Sequence, residues 1–270
     1  IPPYEVSDAV KKEIETITAK LALELKVVGL INLQFAVKDD KVYVLEVNPR
    51  SSRTVPFVSK YTNVPLANIA AQISVGKSLN EFKLQKNNFE HYAVKKAVLP
   101  FKKFKDEKVF LGPEMKSTGE VMGIDMSTGS AFLKAMKSDG YNVPKQGTAF
   151  LSVNKADREG LVPIAKSLMG LGFSLVATKG TCKFLNEHGI ICDEMFKVGE
   201  GRPNVVDEIL NDNIQLVINT PEGPQSRFDE EAIGKTSVMK NILTITTLSG
   251  ARAAIDSMKH LNKISVRALQ

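Results

Sequence analysis

Short apolar runs alternate with longer amphipathic segments in the second half of the chain, and this alternation restricts the possible folds most strongly. The predicted strands are 149–153, 174–178, 216–219 and 243–246, and the predicted helices are 157–171, 181–188, 203–210 and 249–260. Strands separated by helices of this length pair in parallel, with helices covering both faces of the sheet. The pattern therefore predicts an α/β domain with a Rossmann-like parallel sheet.

The first half has a different, mixed α+β pattern. The predicted elements are a helix at 6–25, strands at 30–37 and 41–47, a helix at 65–75, a strand at 93–99, an extended piece at 119–123 and a helix at 130–137. The first two strands flank Lys38-Asp39-Asp40, which predicts an antiparallel hairpin. The stretch 140–147 contains two Gly and a Pro and no periodicity, so we predict that it is the linker between the two halves. Because 270 residues favour two cores over one, we predict domains at 1–140 and 141–270.

Composition excludes several classes of protein. No window approaches the roughly 18 apolar residues of a membrane span, and no export signal is visible, so we expect no membrane contact. Cys182 and Cys192 lack a zinc spacing and predict free thiols in a reducing, cytoplasmic compartment. The net charge of +6 comes without a nucleic-acid motif, so we expect no nucleic-acid partner. The chain starts at Ile1 without an initiator Met, which we interpret as a fragment.

The second strand of the hairpin has an unusual polar end. Glu46 and Asn48 are two residues apart, so they share one face of the strand, and Arg50 and Arg53 follow. Carboxylate and amide oxygens are hard ligands of the kind that Mg²⁺ prefers, and Arg side chains hold phosphoryl oxygens in their planar forks. The alternative is a polar strand that faces solvent with Arg–Glu pairs.

Gln34, on the first strand, joins this polar face only in one register. Residues directly opposite each other across a hairpin share a face. A three-residue loop at 39–41 places Gln34 opposite Glu46, whereas a two-residue loop turns Gln34 to the other face. We therefore expect the three-residue loop if Gln34 contributes to the site.

Three segments carry a resemblance to a known family. They are QFAV at 34–37, EVNPRSSRTVPFVSK at 46–60 and LGPEMKSTGEVMG at 111–123. The chain resembles, over its whole length, the C-terminal part of the large subunit of carbamoyl phosphate synthetase. The resemblance implies the end of an ATP-grasp unit, a remnant with the antiparallel hairpin, followed by a methylglyoxal-synthase-like domain.

The resemblance also implies residue roles and partners. Gln34, Glu46 and Asn48 would bind Mg²⁺ or Mn²⁺ under the phosphates of ATP, and Arg50 and Arg53 would be catalytic, orienting the substrate or the transferred phosphoryl group. The reaction implied is that of a ligase, the phosphorylation of carbamate to carbamoyl phosphate for pyrimidine and arginine synthesis. Ammonia would come from a glutaminase small subunit, and we expect an oligomer. In the family the adenine pocket lies upstream of these residues, so we expect no catalysis from this chain alone.

A second polar cluster follows the strands of the predicted sheet. Thr178-Lys179-Gly180-Thr181 joins a strand to a helix start, where free amides and the positive helix end favour a phosphate. Asn219 ends a neighbouring strand at the same edge, and Lys197 and Arg158 supply positive charge. The alternative is that the two Thr side chains only cap the helix.

The resemblance assigns this cluster to a regulatory site for a nucleoside monophosphate, UMP or IMP. The family's contacts fall on six residues: Arg158, Thr178, Gly180, Thr181, Lys197 and Asn219. Pro221 and Gly234 depart from the family's pattern, so we expect weaker effector binding. Lys96 stands where ornithine-responsive members have a glutamate, and a lysine does not hold an ammonium group, so ornithine activation is not expected.

Three other interpretations compete with the enzyme subunit. They are a regulatory binding module whose first 140 residues are scaffold, a methylglyoxal-synthase-type lyase, and a biotin-carboxylase-type ATP-grasp protein. The lyase needs a carboxylate base beside the phosphate site, and the nearby sequence offers Lys179 and Lys183 instead. The biotin-carboxylase pattern does not continue after Arg50.

Overall fold

A computed structural model describes the chain except residues 4–5, 85–88, 100, 102–114, 221–223, 263 and 267–270 and the side chains of 224–228. The predicted turn at Gly112-Pro113, part of the 111–123 motif and Pro221 therefore lie outside the described residues. The described residues form two compact units, 1–93 and 94–266. Within the described part, the longest apolar helices are too short or too polar to cross a bilayer.

The first unit is built from three helices and one hairpin. Its elements are α1 (Asp8–Glu24), β1 (Asn32–Lys38), β2 (Lys41–Asn48), α2 (Thr54–Thr62) and α3 (Leu66–Ser74), followed by a 3₁₀ turn at Leu79–Glu81. The Ser7 hydroxyl caps α1 by accepting a hydrogen bond from the amide of Val10. Helix α2 was not predicted, although its Pro56 occupies the first turn, where a missing N–H costs little.

The hairpin strands pair in two registers separated by a β-bulge. Near the turn Phe35 pairs with Val44, whereas farther along Gln34 pairs with Glu46, so Leu45 is an extra residue on β2. The predicted pairing of Gln34 with Glu46 is confirmed. Gln34 and Glu46 thus occupy directly opposite positions on the same face.

The predicted three-residue loop is wrong. The last pair before the turn is Lys38 with Lys41, so the loop consists of Asp39 and Asp40 alone. Both have positive φ, 51° and 57°, as the two central residues of a type I′ turn require. The bulge at Leu45 supplies the extra residue that the loop was expected to supply. It therefore places Gln34 and Glu46 on the same face of the hairpin.

The second unit contains a parallel sheet and the helices that cover it. Its elements are β3 (Tyr92–Val98, beginning in the first unit), β4 (Gly119–Asp125), α4 (Thr128–Ser138), β5 (Gly147–Val153), α5 (Arg158–Gly170), β6 (Phe173–Thr178), α6 (Lys179–Glu187), β7 (Asp193–Met195), α7 (Val205–Leu210), β8 (Leu216–Thr220), α8 (Pro224–Met239), β9 (Leu243–Ile245) and α9 (Leu248–Met258). Strands β3 and β4 pair with each other. The other five strands form one parallel sheet in the order β7-β6-β5-β8-β9, which confirms the predicted class.

The sheet is buried on both faces. In β5, Leu151 packs into the larger apolar cluster and its neighbour Phe150 into the smaller one, and both are fully buried. In β8, Ile218 and Val217 alternate between the same two clusters. This double burial explains why the strands read as continuous apolar runs rather than as alternating ones.

Two elements of this unit lack a sequence signal. Strand β7 has only three residues, two of them acidic, at the sheet edge. Helix α8 buries Thr236 and Ser237 next to Ile233, so its inner face does not read as an apolar stripe. Both elements were left out of the prediction for this reason.

The division into compact units falls between Ala93 and Val94, not in the 140–147 linker. Helix α4 belongs with the sheet because it packs closely on α9. A Cβ on Gly129 would lie 2.6 Å from the Asp256 carboxylate and 2.7 Å from the His260 ring. The functional assignment of 1–140 and 141–270 to two domains stays a prediction.

Candidate functional site

The polar end of the hairpin is an exposed cluster of oxygen-bearing side chains. Gln34 and Glu46 face each other across β1 and β2, and Asn48 lies two residues beyond Glu46 on the same strand. The Asn48 side-chain amide donates a hydrogen bond of 2.8 Å to Glu46 Oε1. The structure therefore places these three predicted residues on one accessible face.

The two arginines follow at the exit of β2. Arg50 donates to Asn48 Oδ1 at 3.4 Å and to the carbonyl oxygen of Ser51 at 3.0 Å, so it adjoins the oxygen cluster. Arg53 is exposed and is the residue that precedes the first turn of α2. The hydrogen bonds thus connect Arg50 to the cluster, while Arg53 belongs to the next element.

The donor set of the hairpin fits a hard cation that is shared with phosphates. Glu46 supplies a carboxylate, and Gln34 and Asn48 supply amide oxygens. Mg²⁺ is usually held by one or two carboxylates and completed by water and substrate phosphates, so one carboxylate and two amides suffice for part of its shell. In the part of the chain that the structure describes, no cluster of three or more His, Cys, Asp or Glu forms a metal cage.

A cavity of about 280 Å³ opens at the carboxyl ends of the parallel strands in the second unit. The strand order reverses between β5 and β8, and ligands of such sheets bind at that reversal. The lining residues are Phe150, Ser152, Val153, Asn154, Lys155, Thr178, Lys197, Val205, Asn219, Thr220, Asp229 and Ile233. Three of the six predicted effector residues, Thr178, Lys197 and Asn219, are therefore brought to one cavity.

The start of α6 is polar and adjoins this cavity through Thr178. Thr178 precedes the first turn, yet its side chain makes no capping hydrogen bond to the helix amides. Its hydroxyl instead donates to Thr181 Oγ1 at 3.4 Å, and Thr181 Oγ1 accepts from the amide of Val153 at 3.4 Å. The interpretation that both Thr side chains merely cap the helix is therefore wrong. Amides at a helix start that no side chain caps favour an anion.

Arg158 and Gly180 meet beside the first turn of α6. A Cβ on Gly180 would lie 2.7 Å from a terminal guanidinium nitrogen of Arg158, so the absence of a side chain allows this approach. The Arg158 Nε is buried and has no hydrogen-bond partner within the described residues. These two predicted residues do not line the cavity itself, and they flank the helix start.

The charges of the cavity are mixed. Lys155 and Lys197 line it together with one carboxylate, Asp229 of α8. Burial raises the pKa of the Asp229 carboxyl, Lys197 lowers it and Glu200 raises it, and the net result is a raised pKa. The prediction that no Asp or Glu lies near the phosphate loop is wrong, because α8 brings Asp229 there from about fifty residues farther along the chain.

Three polar residues at the carboxyl end of β5 were also missed by the sequence analysis. Ser152, Asn154 and Lys155 line the cavity at the carboxyl end of the central strand. The amide of Asn154 donates to Thr220 Oγ1 at 3.3 Å, which joins the ends of β5 and β8. The same rule that selected residues after β6 and β8 would have found these residues, because β5 lies between those strands.

Two family models match the chain. The model described as "Carbamoyl-phosphate synthase L chain, ATP binding domain" matches residues 1–82, and the model described as "MGS-like domain" matches residues 160–246. A carbamoyl phosphate synthase large chain from Acidobacterium capsulatum is 50% identical over the whole chain. A C-terminal section of that large chain from Aquifex aeolicus is 46% identical over 98% of this chain.

This chain belongs to the carbamoyl phosphate synthase large-chain family. It spans 26% of the length of the Acidobacterium relative and 52% of the Aquifex relative. A large chain from Archaeoglobus fulgidus is 47% identical over the whole chain, which covers 26% of that relative. The resemblance found in the sequence is thereby confirmed.

Each family model covers one of the two sites. The ATP-binding domain match contains the hairpin cluster, and the MGS-like match contains Thr178, Lys197, Asn219 and Asp229. The polar residues at the carboxyl end of β5 precede the MGS-like match, which begins at residue 160.

Lys96, which the resemblance connects with ornithine, already has partners in the second unit. Its ammonium group pairs with the carboxylate of Asp139, donates to the carbonyl oxygen of Ala97 at 3.3 Å and lies 4.8 Å from the ring centroid of Tyr141. Burial, and secondarily Asp139, raises the pKa of Tyr141. The Lys96 ammonium group is thus engaged by a carboxylate, a carbonyl oxygen and an aromatic ring, and the absence of ornithine activation stays a prediction.

The two cysteines are buried free thiols, Cys182 in α6 and Cys192 directly before β7. The Cys182 thiol donates to the carbonyl oxygen of Cys192 at 3.0 Å. Burial and the neighbouring Cys182 raise the pKa of Cys192 well above its usual range. Cys192 is therefore a poor nucleophile, and neither thiol is among the described residues that line the cavity.

Proposed function

We propose that this chain is the part of a carbamoyl phosphate synthase large chain that senses a nucleoside monophosphate, UMP or IMP, and carries one wall of an ATP site. The parent enzyme would phosphorylate carbamate to carbamoyl phosphate for pyrimidine and arginine synthesis, in the cytoplasm, as an oligomer that receives ammonia from a glutaminase small subunit. The observation that carries the sensing role is the cavity at the sheet edge, where Thr178, Lys197 and Asn219 meet.

The effector would bind with its phosphate at the polar end of the cavity. The uncapped amides at the start of α6 and the Lys197 ammonium group both favour a phosphate. Phe150, Val205 and Ile233 form an apolar wall that suits a flat base. The pocket thus combines the two surfaces that a nucleoside monophosphate needs.

The hairpin would hold the metal-bound phosphates of ATP in the parent enzyme. Gln34, Glu46 and Asn48 would hold Mg²⁺ or Mn²⁺, and this ion would neutralise charge on the phosphoryl group during transfer. Arg50 is already oriented by its hydrogen bond to Asn48 Oδ1, so its guanidinium group would position an anionic substrate. Because the cluster is exposed and supplies one carboxylate, we propose that the hairpin does not bind ATP by itself.

Calorimetric titration of the chain with UMP and with IMP tests the sensing role. We expect binding that Lys197→Gln weakens by roughly 10- to 100-fold, since a charge-assisted hydrogen bond contributes about 1.5–3 kcal/mol. Lys166→Gln is the matched control because Lys166 is an exposed residue of α5 outside the cavity lining. Wild-type chain that binds neither nucleotide, or equal losses in both variants, would contradict the proposal.

One observation favours a second candidate, a methylglyoxal-synthase-type lyase. Such an enzyme removes a proton from a triose phosphate and expels phosphate. Asp229 supplies a carboxylate in the same cavity as Thr178 and Lys197, the groups proposed to bind phosphate. Release of methylglyoxal from a triose phosphate by the wild-type chain, abolished in Asp229→Asn, would favour this candidate over the regulatory role.

A further inference from the structure

The cavity at the carboxyl ends of the parallel strands contains an acidic side chain among groups suited to an anion. Asp229 lines it together with Lys155 and Lys197, and it is the one acidic residue among the described lining residues. Within the described part of the chain, no hydrogen bond or ion pair engages its carboxylate. A carboxylate in this position shares a small, partly buried volume with any phosphate that enters.

The loop after β7 supplies the charges that act on Asp229. Lys197 and Glu200 both lie in this loop, and the Lys197 amide donates to Glu200 Oε2 at 3.1 Å. Burial destabilises the charged form of Asp229, Lys197 stabilises it and Glu200 destabilises it, and the net result is a raised pKa. Lys197 therefore acts on Asp229 through its charge, without a direct ion pair.

The elements packed against α8 add little further charge. Helix α7 contributes Asp207, whose Oδ2 already accepts from the amide of Asn204 at 3.0 Å, and Glu208, which pairs with the Asn213 amide at 2.7 Å. Strands β8 and β9 contain no titratable side chain. Among the α8 residues whose side chains the structure describes, the other charged ones are Glu230, Glu231 and Lys235.

We propose that a phosphorylated ligand binds in this pocket together with one proton, which the Asp229 carboxyl group carries. This inference rests on the proposed function, because it takes a nucleoside monophosphate as the ligand. A bound phosphate would pair with the Lys197 ammonium group, which weakens the effect of that charge on Asp229, and would add negative charge to the cavity. Both changes favour the neutral acid, which also gains a proton that it can donate to the ligand.

The proton makes affinity depend on pH in a defined direction. The bound state holds more protons than the free state, so affinity increases as pH falls through the pKa of Asp229 in the complex. Each unit by which binding raises that pKa corresponds to about a tenfold change in affinity. The ligand phosphate has a second pKa of about 6, and its loss of a proton makes affinity increase as pH rises. Only a comparison with a variant therefore isolates the contribution of Asp229.

The test is calorimetric titration of the 270-residue chain with UMP at about pH 5.5 and about pH 8, in pairs of buffers with different ionisation enthalpies. We expect Asp229→Asn to bind UMP roughly threefold to tenfold more tightly than wild type at the higher pH, and to approach wild type at the lower pH. Wild type should take up a fraction of a proton more than Asp229→Asn on binding.

Two further variants serve as controls for this experiment. Glu231→Gln removes the same charge from the same helix outside the cavity lining, so it should match wild type. Asp229→Glu keeps a titratable acid and should retain the proton uptake, which also covers the case in which Asp229→Asn does not fold.

The outcomes separate the inference from the proposed function. Equal pH profiles and equal proton uptake in wild type and Asp229→Asn, with UMP bound by both, would overturn the role of Asp229 and leave the effector site intact. An equal gain in Glu231→Gln would show a general charge effect and overturn it as well. No binding of UMP by wild type or any variant at either pH would overturn the ligand class, and the inference with it.

Discussion

The two polar sites of this chain differ in how firmly the fold holds them. The hairpin cluster is exposed, and its members are oriented mainly by one another, through hydrogen bonds such as that from Asn48 to Glu46. At the sheet edge, Thr178, Thr181 and Asn219 are at least nine-tenths buried. Their positions follow from the buried strands and helix that carry them.

This difference indicates what each site can do alone. A site on rigid elements is organised before its ligand arrives, so less free energy is lost when the ligand orders the groups that bind it. An exposed cluster on a two-stranded hairpin needs the ligand or further protein to fix it. The contrast supports a binding role for the second unit and a contributing role for the hairpin.

The largest expected effect tests the difference in burial directly. Leu151 is fully buried on the central strand β5, so Leu151→Ala should lower the free energy of unfolding of the second unit by about 2–5 kcal/mol. Leu45 is 64% exposed at the bulge of β2, so Leu45→Ala should change stability by less than about 0.5 kcal/mol. Urea denaturation, monitored by hydrogen exchange of the amides in each unit, reports the two stabilities separately. Similar losses in both variants would contradict the comparison.

A smaller effect tests the close packing of the second unit. On β4, a Cβ at Gly123 would clash with the Ala131 carbonyl oxygen and lie 2.6 Å from the Ala135 amide nitrogen, so Gly123→Ala should destabilise by about 1–3 kcal/mol. Gly119→Ala on the same strand meets no atom of the described residues within 4 Å and should be nearly neutral. Thermal unfolding by circular dichroism measures both. If Gly123→Ala were as harmless as the control, β4 and α4 would be farther apart than described.

The smallest effect tests the hairpin turn. Asp40 has a φ of 57°, which glycine adopts without strain, so Asp40→Gly should stabilise the hairpin by about 0.5 kcal/mol. Lys38→Gly, in the extended β1, should instead destabilise by about 0.5–1 kcal/mol. Hydrogen exchange of the β1 and β2 amides provides the measurement. Destabilisation by both changes would argue against the two-residue turn.

Much of the fold could be predicted because its signals are local. The parallel strands are apolar runs bounded by helices, and α1 begins at a Ser cap, so short windows of sequence were sufficient. Strand β7 and helix α8 were missed because a three-residue acidic strand and a helix that buries Thr236 and Ser237 show no apolar period. The 46–60 motif marked the hairpin cluster without any structural knowledge.

The sequence alone determined the parallel α/β architecture, the family, and the residue types suited to a metal-bound phosphate and to an anion. The tertiary structure decided the β-bulge that brings Gln34 opposite Glu46, and the presence of Asp229 in the cavity with Lys197. The physical reason is distance along the chain. Strand register and cavity lining depend on contacts between residues that are remote in sequence, whereas propensity, capping and apolar period are properties of neighbours.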